Sequence, residues 1–309
     1  MRAIPCLILL STFTLSGCKW MERESRPVPV TPKNTIQGAP TVDNLVGYLN
    51  KQADRLTSLE SNDVSLTAYV QKQRMPGLTG FMVCEKGRNF RLTGDALGSQ
   101  YVDIGSNNNQ FWFWVKDGEA PLYYCSYSDY EKGVKLPLPF QPEWVVQALG
   151  MAKYDPAKQY QVDVKQNTYE LIENTTVQGQ PVRKVTVFAA GQLRDENQPR
   201  VIGHIIQDAN GKTICHATIK YVRTARYRTP EGESTVQYPS EILLEWPAEQ
   251  MSMKMQIGKA TVNKSITNEE ASRYFTLPSW QGIKSVDLSK GIPRGNPTSR
   301  DIRQTGAFR

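Results

Sequence analysis

Histidine and cysteine are scarce in this chain, and it has no run of like-charged residues and no apolar run long enough to span a bilayer. Its 309 residues include two histidines and five cysteines, and no five consecutive residues carry charge of one sign. So few cysteines exclude a disulfide-dense scaffold. A mean hydropathy of −0.48 excludes a protein that crosses a membrane many times. The composition that remains is that of an ordinary folded domain.

Sequence motifs for catalysis are missing. There is no G-x-S-x-G, no H-E-x-x-H and no glycine-rich phosphate or dinucleotide loop. Two histidines leave few general bases for nucleophilic chemistry. We therefore predict a protein that is not an enzyme and that needs no cofactor.

The charge balance argues against nucleic acid as a partner. Lysine and arginine number 37 and aspartate and glutamate 30, which gives a net charge of +7. The excess is scattered along the chain, whereas nucleic-acid binding proteins concentrate it on one face or helix. Spread over a domain near a membrane, such a charge favours anionic head groups modestly.

The N-terminus carries the most specific signal in the sequence. The apolar stretch 4–15 is too short to span a bilayer but has the length of a signal-peptide core. Leu15, Ser16, Gly17 and Cys18 follow it and resemble the lipobox of a bacterial lipoprotein signal. The resemblance implies cleavage after residue 17 and lipidation of Cys18. The alternative is an ordinary secretory signal in which the cysteine stands by chance.

A lipidated Cys18 would place the protein in the cell envelope, attached to a membrane and facing the periplasm. Several acyl chains on one cysteine anchor firmly, because each buried CH₂ contributes about 0.8 kcal/mol. Lys19 follows Cys18, where an aspartate would be the usual inner-membrane retention signal. We therefore expect the outer membrane. Residues 18–40 are proline-rich and predict an extended tether, and residues 289–309 predict a disordered tail.

The rest of the chain predicts one large, curved antiparallel sheet with two helices. Apolar residues at spacings of three and four predict a helix over Thr41–Glu60, capped by Thr41. Proline in the first turn and a glycine stop predict a second helix over Pro142–Gly150. About a dozen strands are predicted between turn signals. They are 64–73, 80–85, 89–93, 100–105, 110–115, 121–127, 159–164, 168–174, 181–190, 200–207, 212–221, 235–246 and 252–262.

The two histidines fall in one predicted hairpin. A three-residue loop at 209–211 would place His204 directly opposite His216 on one face, with Cys215 on the other. Two facing histidines are weak candidates for a metal site, since no third ligand lies nearby in the sequence. A plain cross-strand pair is the favoured interpretation. Cys84 and Cys125 lie with Cys215 in apolar strands, and their odd number leaves at least one thiol unpaired.

Aromatic residues are concentrated in one strand. Because side chains alternate along a strand, Phe111 and Phe113 share one face and Trp112 and Trp114 the other. Both faces therefore require cover. Either the strand is sandwiched in the core, or one face lines an apolar cavity between a curved sheet and the helices.

The order of these features resembles the lipoprotein-localisation factors, the LolA and LolB families. The resemblance covers roughly residues 41–288. It is carried by the leading helix and by the segments 103–106, 110–114, 142–150, 238–242, 246–247 and 262–278. It implies an open antiparallel β half-barrel closed by two helices over an apolar cavity that accepts acyl chains. The residues expected to line that cavity are Leu45, Leu49, Phe111, Trp112, Phe113, Trp114, Tyr124 and Trp144.

The resemblance also suggests where a membrane-contacting loop would lie. LolB carries an exposed leucine on a protruding loop, and Leu78 in Met75–Leu78 is the counterpart here, although an ordinary proline-glycine turn is the favoured reading. The expected function is binding of lipoproteins or lipids through their acyl chains, as a monomer, in lipoprotein sorting. The alternative is a non-catalytic scaffold or sensor whose rim binds an envelope protein.

Overall fold

A computed structural model describes residues 40–116, 119–136, 141–191 and 198–291. The predicted signal peptide and most of the predicted tether lie outside these residues, and so do Leu15, Ser16, Gly17 and Cys18. The predicted tail is described only as far as residue 291. Within the described part, the chain forms a single sheet with helices on its faces.

In the described ranges, sixteen strands form this sheet. In the first half of the chain they are β1 (Ser58–Val70), β2 (Gln73–Arg74), β3 (Leu78–Glu85), β4 (Phe90–Ala96), β5 (Ser99–Ser106), β6 (Gln110–Val115) and β7 (Leu122–Ser126). In the second half they are β8 (Tyr160–Val164), β9 (Thr168–Val177), β10 (Gln180–Ala189), β11 (Val201–Asp208), β12 (Thr213–Thr229), β13 (Gly232–Trp246), β14 (Met251–Ile257), β15 (Thr261–Val262) and β16 (Ser285–Asp287). The helices are α1 (Val42–Arg55), α2 (Tyr127–Glu131), α3 (Pro142–Ala148) and α4 (Asn268–Tyr274).

The sheet consists of two antiparallel meanders joined at one strand pair. Strands β3 to β7 follow one another outward from β1, and β13 to β8 follow outward from β14. The meanders meet where β1 pairs with β14, with Val64 opposite Ile257. At the far end β16 pairs with β7, and this pair is parallel. The edges β16 and β8 are not joined, so the sheet is open. The predicted mainly-β half-barrel is confirmed, with more strands than the dozen expected.

The curl of the sheet encloses the main hydrophobic core. One cluster of buried side chains draws on β1 and β3–β7, on β12–β14 and on α3. Strands from both meanders share a cluster because the sheet bends round it, and α3 lies inside that bend. The face towards this cluster is called the inner face below. The two predicted helices, α1 and α3, both pack on it.

Helix α1 begins as predicted but ends earlier. The Thr41 side chain accepts a hydrogen bond from the backbone N–H of Asn44, as an N-cap does. The helix ends at Arg55, and the prediction that it runs to Glu60 was wrong. Leu59 lies in β1, opposite Cys84 on one side and Val262 on the other. Pairing with two strands satisfies the hydrogen-bonding groups of this backbone. These tertiary contacts outweigh the helical propensity that the spacing of the leucines indicates.

Each predicted strand overlaps an observed one, and the predicted helix over Pro142–Gly150 is confirmed as α3. The short helices α2 and α4 were not predicted. The sequence does hold a signal for α4, since Thr267 and Glu270 form a reciprocal capping box. The pattern Thr-x-x-Glu could have located its start.

The aromatic strand β6 is buried on both faces. Phe111 and Phe113 point into the main core, whereas Trp112 and Trp114 form a separate cluster with Leu122 on the outer face. This outer cluster is covered by the segment that follows α4, through Leu277, Trp280 and Ile283. The alternation predicted for this strand is confirmed, and the outer cover comes from the end of the chain.

Buried Asp103 organises the outer face beside Trp112. Its carboxylate accepts hydrogen bonds from Arg91 at 2.6 Å, from Gln100 at 3.0 Å and from the Trp112 indole at 3.1 Å. Arg91 in turn donates to the backbone carbonyl of Tyr274, the last residue of α4. One carboxylate therefore connects the aromatic strand to the segment that covers it.

Candidate functional site

A cavity of about 300 Å³ lies on the inner face, between α1, the end of α3 and strands β11–β13, and it is partly open to solvent. Its walls are largely aliphatic and aromatic, with a few polar groups. The lining residues are Tyr48, Leu49, Gln52, Gln147, Ala148, Leu149, Gly150, Ala152, Tyr154, Pro199, Arg200, Val201, His204, Ile219, Val222, Gln237 and Pro239.

Helix α1 forms one wall because its apolar stripe faces the sheet. Tyr48 and Gln52 are four residues apart and therefore share a face of the helix, with Leu49 beside them. Buried Phe188 on β10 holds this wall in place, since its ring meets the Tyr48 ring edge-on at 6.0 Å. Gln52 donates to the backbone carbonyl of Gln237 on β13 at 3.2 Å. The helix is thus fixed to the sheet on both sides of the cavity.

The segment after α3 forms the opposite wall. Gly150 has φ +76°, a left-handed conformation that ends the helix and turns the chain. Tyr154, further along, exchanges two hydrogen bonds of 2.8 Å with Asn50 of α1, through the tyrosine backbone and the asparagine amide. The two walls are therefore joined to each other as well as to the sheet.

A chain of hydrogen bonds runs across this site. Gln147 donates to the Tyr154 hydroxyl at 2.8 Å, which lies 2.8 Å from the Thr186 hydroxyl. The Thr186 hydroxyl lies 3.3 Å from Nδ1 of His204. Three of these residues line the cavity, and the chain satisfies polar groups that the surrounding apolar residues could not. Polar groups of this kind orient ligands in apolar pockets.

His204 is uncharged at neutral pH. Its side chain is buried, and this burial, together with the neighbouring His216, lowers the pKa of His204 to about 4. An unperturbed histidine has a pKa near 6.5. The imidazole can therefore accept or donate a hydrogen bond in the cavity wall without bringing a charge.

The depressed pKa of His204 makes stability depend on pH. As pH falls below 6.5, His204 binds a proton in the unfolded chain. In the folded protein it binds that proton only near pH 4, so protonation favours unfolding. We expect His204 to remove about 2 kcal/mol of stability between pH 7 and pH 5. Urea unfolding at both pH values should show this loss in the wild type and a smaller one in His204→Gln. An equal loss in both proteins would contradict it.

The two histidines do not face each other as predicted. His204 is opposite Ala217, and His216 is opposite Ile205. The pairing shifts by one residue between Ile206 and Gln207, so that the strand after the turn holds one extra residue. A one-residue shift moves side chains to the other face, which puts Cys215 on the face of His204. In the described part of the chain, no three His, Cys, Asp or Glu side chains gather as a metal site.

Most residues predicted to line a cavity lie away from this one. Leu49 lines it, and Leu45 packs beneath it with Phe188. Phe111 and Phe113 lie in the main core, with Trp144 packed against it. Trp112 and Trp114 lie in the outer cluster, with Tyr124 packed against them. Leu78 begins β3, and its half-buried side chain packs against the core. Their ligand-contact and loop roles stay predictions.

The three cysteines of the strands are free thiols. Cys84, Cys125 and Cys215 are all buried. Burial raises the pKa of Cys84 and Cys215 to about 12 and that of Cys125 to about 11. A thiol that stays protonated is a poor nucleophile, so these residues serve the core as small apolar side chains.

Comparison with known proteins gives similarity in fold only. No protein-family model matches this chain, and no curated protein matches it. A solved DUF1329 family protein from Desulfovibrio piger is similar, with a TM-score of 0.46 and 10% identity over 75% of this chain and 95% of that one. A putative outer membrane lipoprotein-sorting protein domain from Vibrio parahaemolyticus gives 0.46 and 8% over 74% and 95%. A LolA superfamily protein from Nitrosomonas europaea gives 0.41 and 8% over 71% and 94%.

A LolA superfamily protein, of the family that the sequence resembles, is one of these similar structures. Among the described residues, no helix has both the length and the apolar character that crossing a bilayer requires.

Proposed function

We propose that this protein is a lipid-anchored component of the cell envelope that binds a hydrophobic ligand in its inner-face cavity, without bond chemistry. The observation that carries the proposal is the cavity itself. It lies between two helices and the curved sheet, and Leu49, Ile219 and Val222 are among the apolar side chains that line it. Apolar walls with a few polar groups are typical of small-molecule sites.

The energetics favour an acyl chain as the ligand. Removing apolar surface from water contributes about 25 cal/mol per Å², or about 0.8 kcal/mol for each CH₂. The cavity is at the lower end of the range of ligand pockets, which is about 300–1,000 Å³. In the conformation described, the cavity therefore suits a single acyl chain. A ligand with several acyl chains requires α1 and α3 to move apart.

The anchor and the location belong to the same proposal. Lipidation at Cys18 would tether the domain by residues 18–40 to a membrane, with Lys19 favouring the outer one. A tethered domain with an acyl-chain cavity could pass lipids or lipoproteins to that membrane. Because the sequence holds no glycine-rich phosphate loop that could couple transfer to nucleotide hydrolysis, the direction of transfer would follow from relative affinities.

Filling the cavity should abolish binding of an apolar probe. Val201 lies at the cavity wall and is half-buried, so Val201→Trp places an indole in the space that the ligand needs. We expect the uncharged fluorophore diphenylhexatriene to bind the wild type and to bind Val201→Trp about tenfold more weakly or worse, a loss of ~1.4 kcal/mol. Fluorescence titration measures both affinities.

Val164→Trp is the matched control. Val164 is 60% exposed on the edge strand β8 and does not line the cavity. The same substitution there should leave the affinity unchanged. If the wild type does not bind the probe, or if both variants bind it as the wild type does, the cavity is not a ligand site. The alternative of a scaffold that binds an envelope protein would then be favoured.

A further inference from the structure

Among the described residues that line the cavity, one carries a charge, and it is a cation. Of these seventeen residues, Arg200 alone carries a full charge at neutral pH, and none is an aspartate or a glutamate. His204 is the other titratable nitrogen base among them, and it is neutral there. The described part of the wall therefore offers a ligand a positive charge at one place and apolar or neutral polar groups elsewhere.

Arg200 is held in a fixed position. It directly precedes β11, and its Nη1 donates to the backbone carbonyls of Ala189 at 2.9 Å and of Gly191 at 2.6 Å. Its Nε is buried and has no hydrogen-bond partner within the described ranges. The guanidinium is thus oriented by the backbone on one side, while donor capacity remains on the other.

The buried Nε of Arg200 lacks an acceptor, and the positive charge of the guanidinium favours an anionic one. Arg200 as a whole is half-buried, but a donor that is removed from water without a partner is costly. The guanidinium is planar and matches the oxygens of a carboxylate or a phosphate, with which it forms the strong, charge-assisted class of hydrogen bond. The other described residues of the lining supply no such partner, because their hydrogen-bonding groups are neutral.

We propose that the cavity takes a single-chain amphiphile with an anionic head group, the head at Arg200 and the chain along Leu49, Ile219 and Val222. This inference rests on the proposed function and adds the chemical class of the ligand. It differs from binding acyl chains in general, because an ester-linked or alcohol-headed chain lacks the charge that Arg200 recognises. The head group is a carboxylate, as in a fatty acid, or a phosphate monoester.

The test is displacement of diphenylhexatriene by three ligands of equal chain length. Palmitate carries a carboxylate, hexadecyl phosphate a phosphate and palmityl alcohol no charge. We expect the wild type to bind at least one of the two anions about ten- to a hundredfold more tightly than the alcohol, the range for hydrogen bonds to charged groups. The tighter of the two anions identifies the head group.

Arg200→Gln should remove this preference, so that the anions bind no more tightly than palmityl alcohol does. Arg226→Gln is the matched control, because Arg226 is exposed on β12 and does not line the cavity. It should keep the preference. If Arg200→Gln loses the alcohol as well, Arg200→Lys decides, since it keeps the charge. A preference retained in Arg200→Lys supports the proposal, and one lost there overturns it.

The outcomes separate this inference from the proposed function. If the wild type binds none of the three ligands and no diphenylhexatriene, the proposed function fails. If it binds the alcohol as tightly as both anions, or if Arg200→Gln keeps the preference for an anion, only the anionic head group is overturned and the apolar cavity stands.

Discussion

Replacing Asp103 with alanine should lower the free energy of unfolding by about 3–5 kcal/mol, the range for breaking a buried ion pair from one side. The Asp103 side chain is fully buried and pairs with Arg91. It also accepts from the Trp112 indole and from Gln100. Its removal leaves the Arg91 guanidinium without its carboxylate and the Trp112 indole N–H without its acceptor. Urea unfolding followed by tryptophan fluorescence measures the loss.

A double-mutant cycle with Arg91→Ala separates the pair from the rest of the network. Arg91 is 15% exposed, so water can replace part of its interaction with Asp103, and Arg91→Ala alone should cost less. The two changes together should cost less than their sum, because the second removes a group that the first has left unpaired. A loss below about 1 kcal/mol for Asp103→Ala, the size of an ordinary surface effect, would contradict the role assigned to this carboxylate.

Phe188→Ala should also cost about 3–5 kcal/mol, as truncations of fully buried phenylalanines do. Its ring lies in the cluster that joins α1 to the sheet, together with Leu45 and Leu171. A void there removes contacts from the inner side of α1. Besides the global loss, we therefore expect faster backbone hydrogen exchange in α1 than in the core of the sheet.

Tyr69→Ala serves as the control for Phe188→Ala. Tyr69 also lies on a strand, but 42% of it is exposed, so its truncation should change stability little. Hydrogen exchange by mass spectrometry distinguishes local from global effects. Equal acceleration in α1 and in β1 would show that Phe188 supports the whole domain, and would contradict a specific role in holding α1.

The sequence predicts the architecture well because the signals for it are local. Turn residues such as Lys86-Gly87 and the run from Ser106 to Asn109 punctuate the strands, and alternation within each strand gives its faces. The start of α1 follows from the Thr41 cap, which the structure confirms. The end of α1 has no such local signal. Leu59 fits the helical spacing and lies in a strand only because it pairs with Cys84 and Val262, which are distant in the sequence.

The site is harder to predict than the fold because residues far apart in sequence build it. Tyr154 and Asn50 are 104 residues apart, and their hydrogen bonds depend on how α1 meets the segment after α3. Arg200 has no local signal, since only the fold brings it into the cavity wall with α1 and the segment after α3. The aromatic residues of β6 were attractive candidates for a cavity, but a strand buried on both faces has the same sequence pattern. The contact between Trp280 and Trp114 shows that the segment after α4 covers the outer face of β6.

The sequence also does not show where other groups pack closely against the backbone of a strand. A Cβ at Gly105 would lie 2.3 Å from the Trp112 indole, and one at Gly80 would lie 1.9 Å from the backbone carbonyl oxygen of Thr93. Both glycines stand inside strands, where glycine is otherwise unfavourable. They allow neighbouring groups to come nearer than any side chain would permit. Gly105 therefore belongs to the outer aromatic cluster, and enlarging it would displace Trp112.

The strand pair that joins the two meanders sets the order in which the chain can fold. Val64 of β1 meets Ile257 of β14 only after almost two hundred intervening residues have been synthesised. Until then β1 presents an open edge, and unpaired edges promote aggregation. Contacts of such long sequence separation also slow folding. A nascent chain of this protein thus leaves that edge of β1 unpaired until β14 has been made.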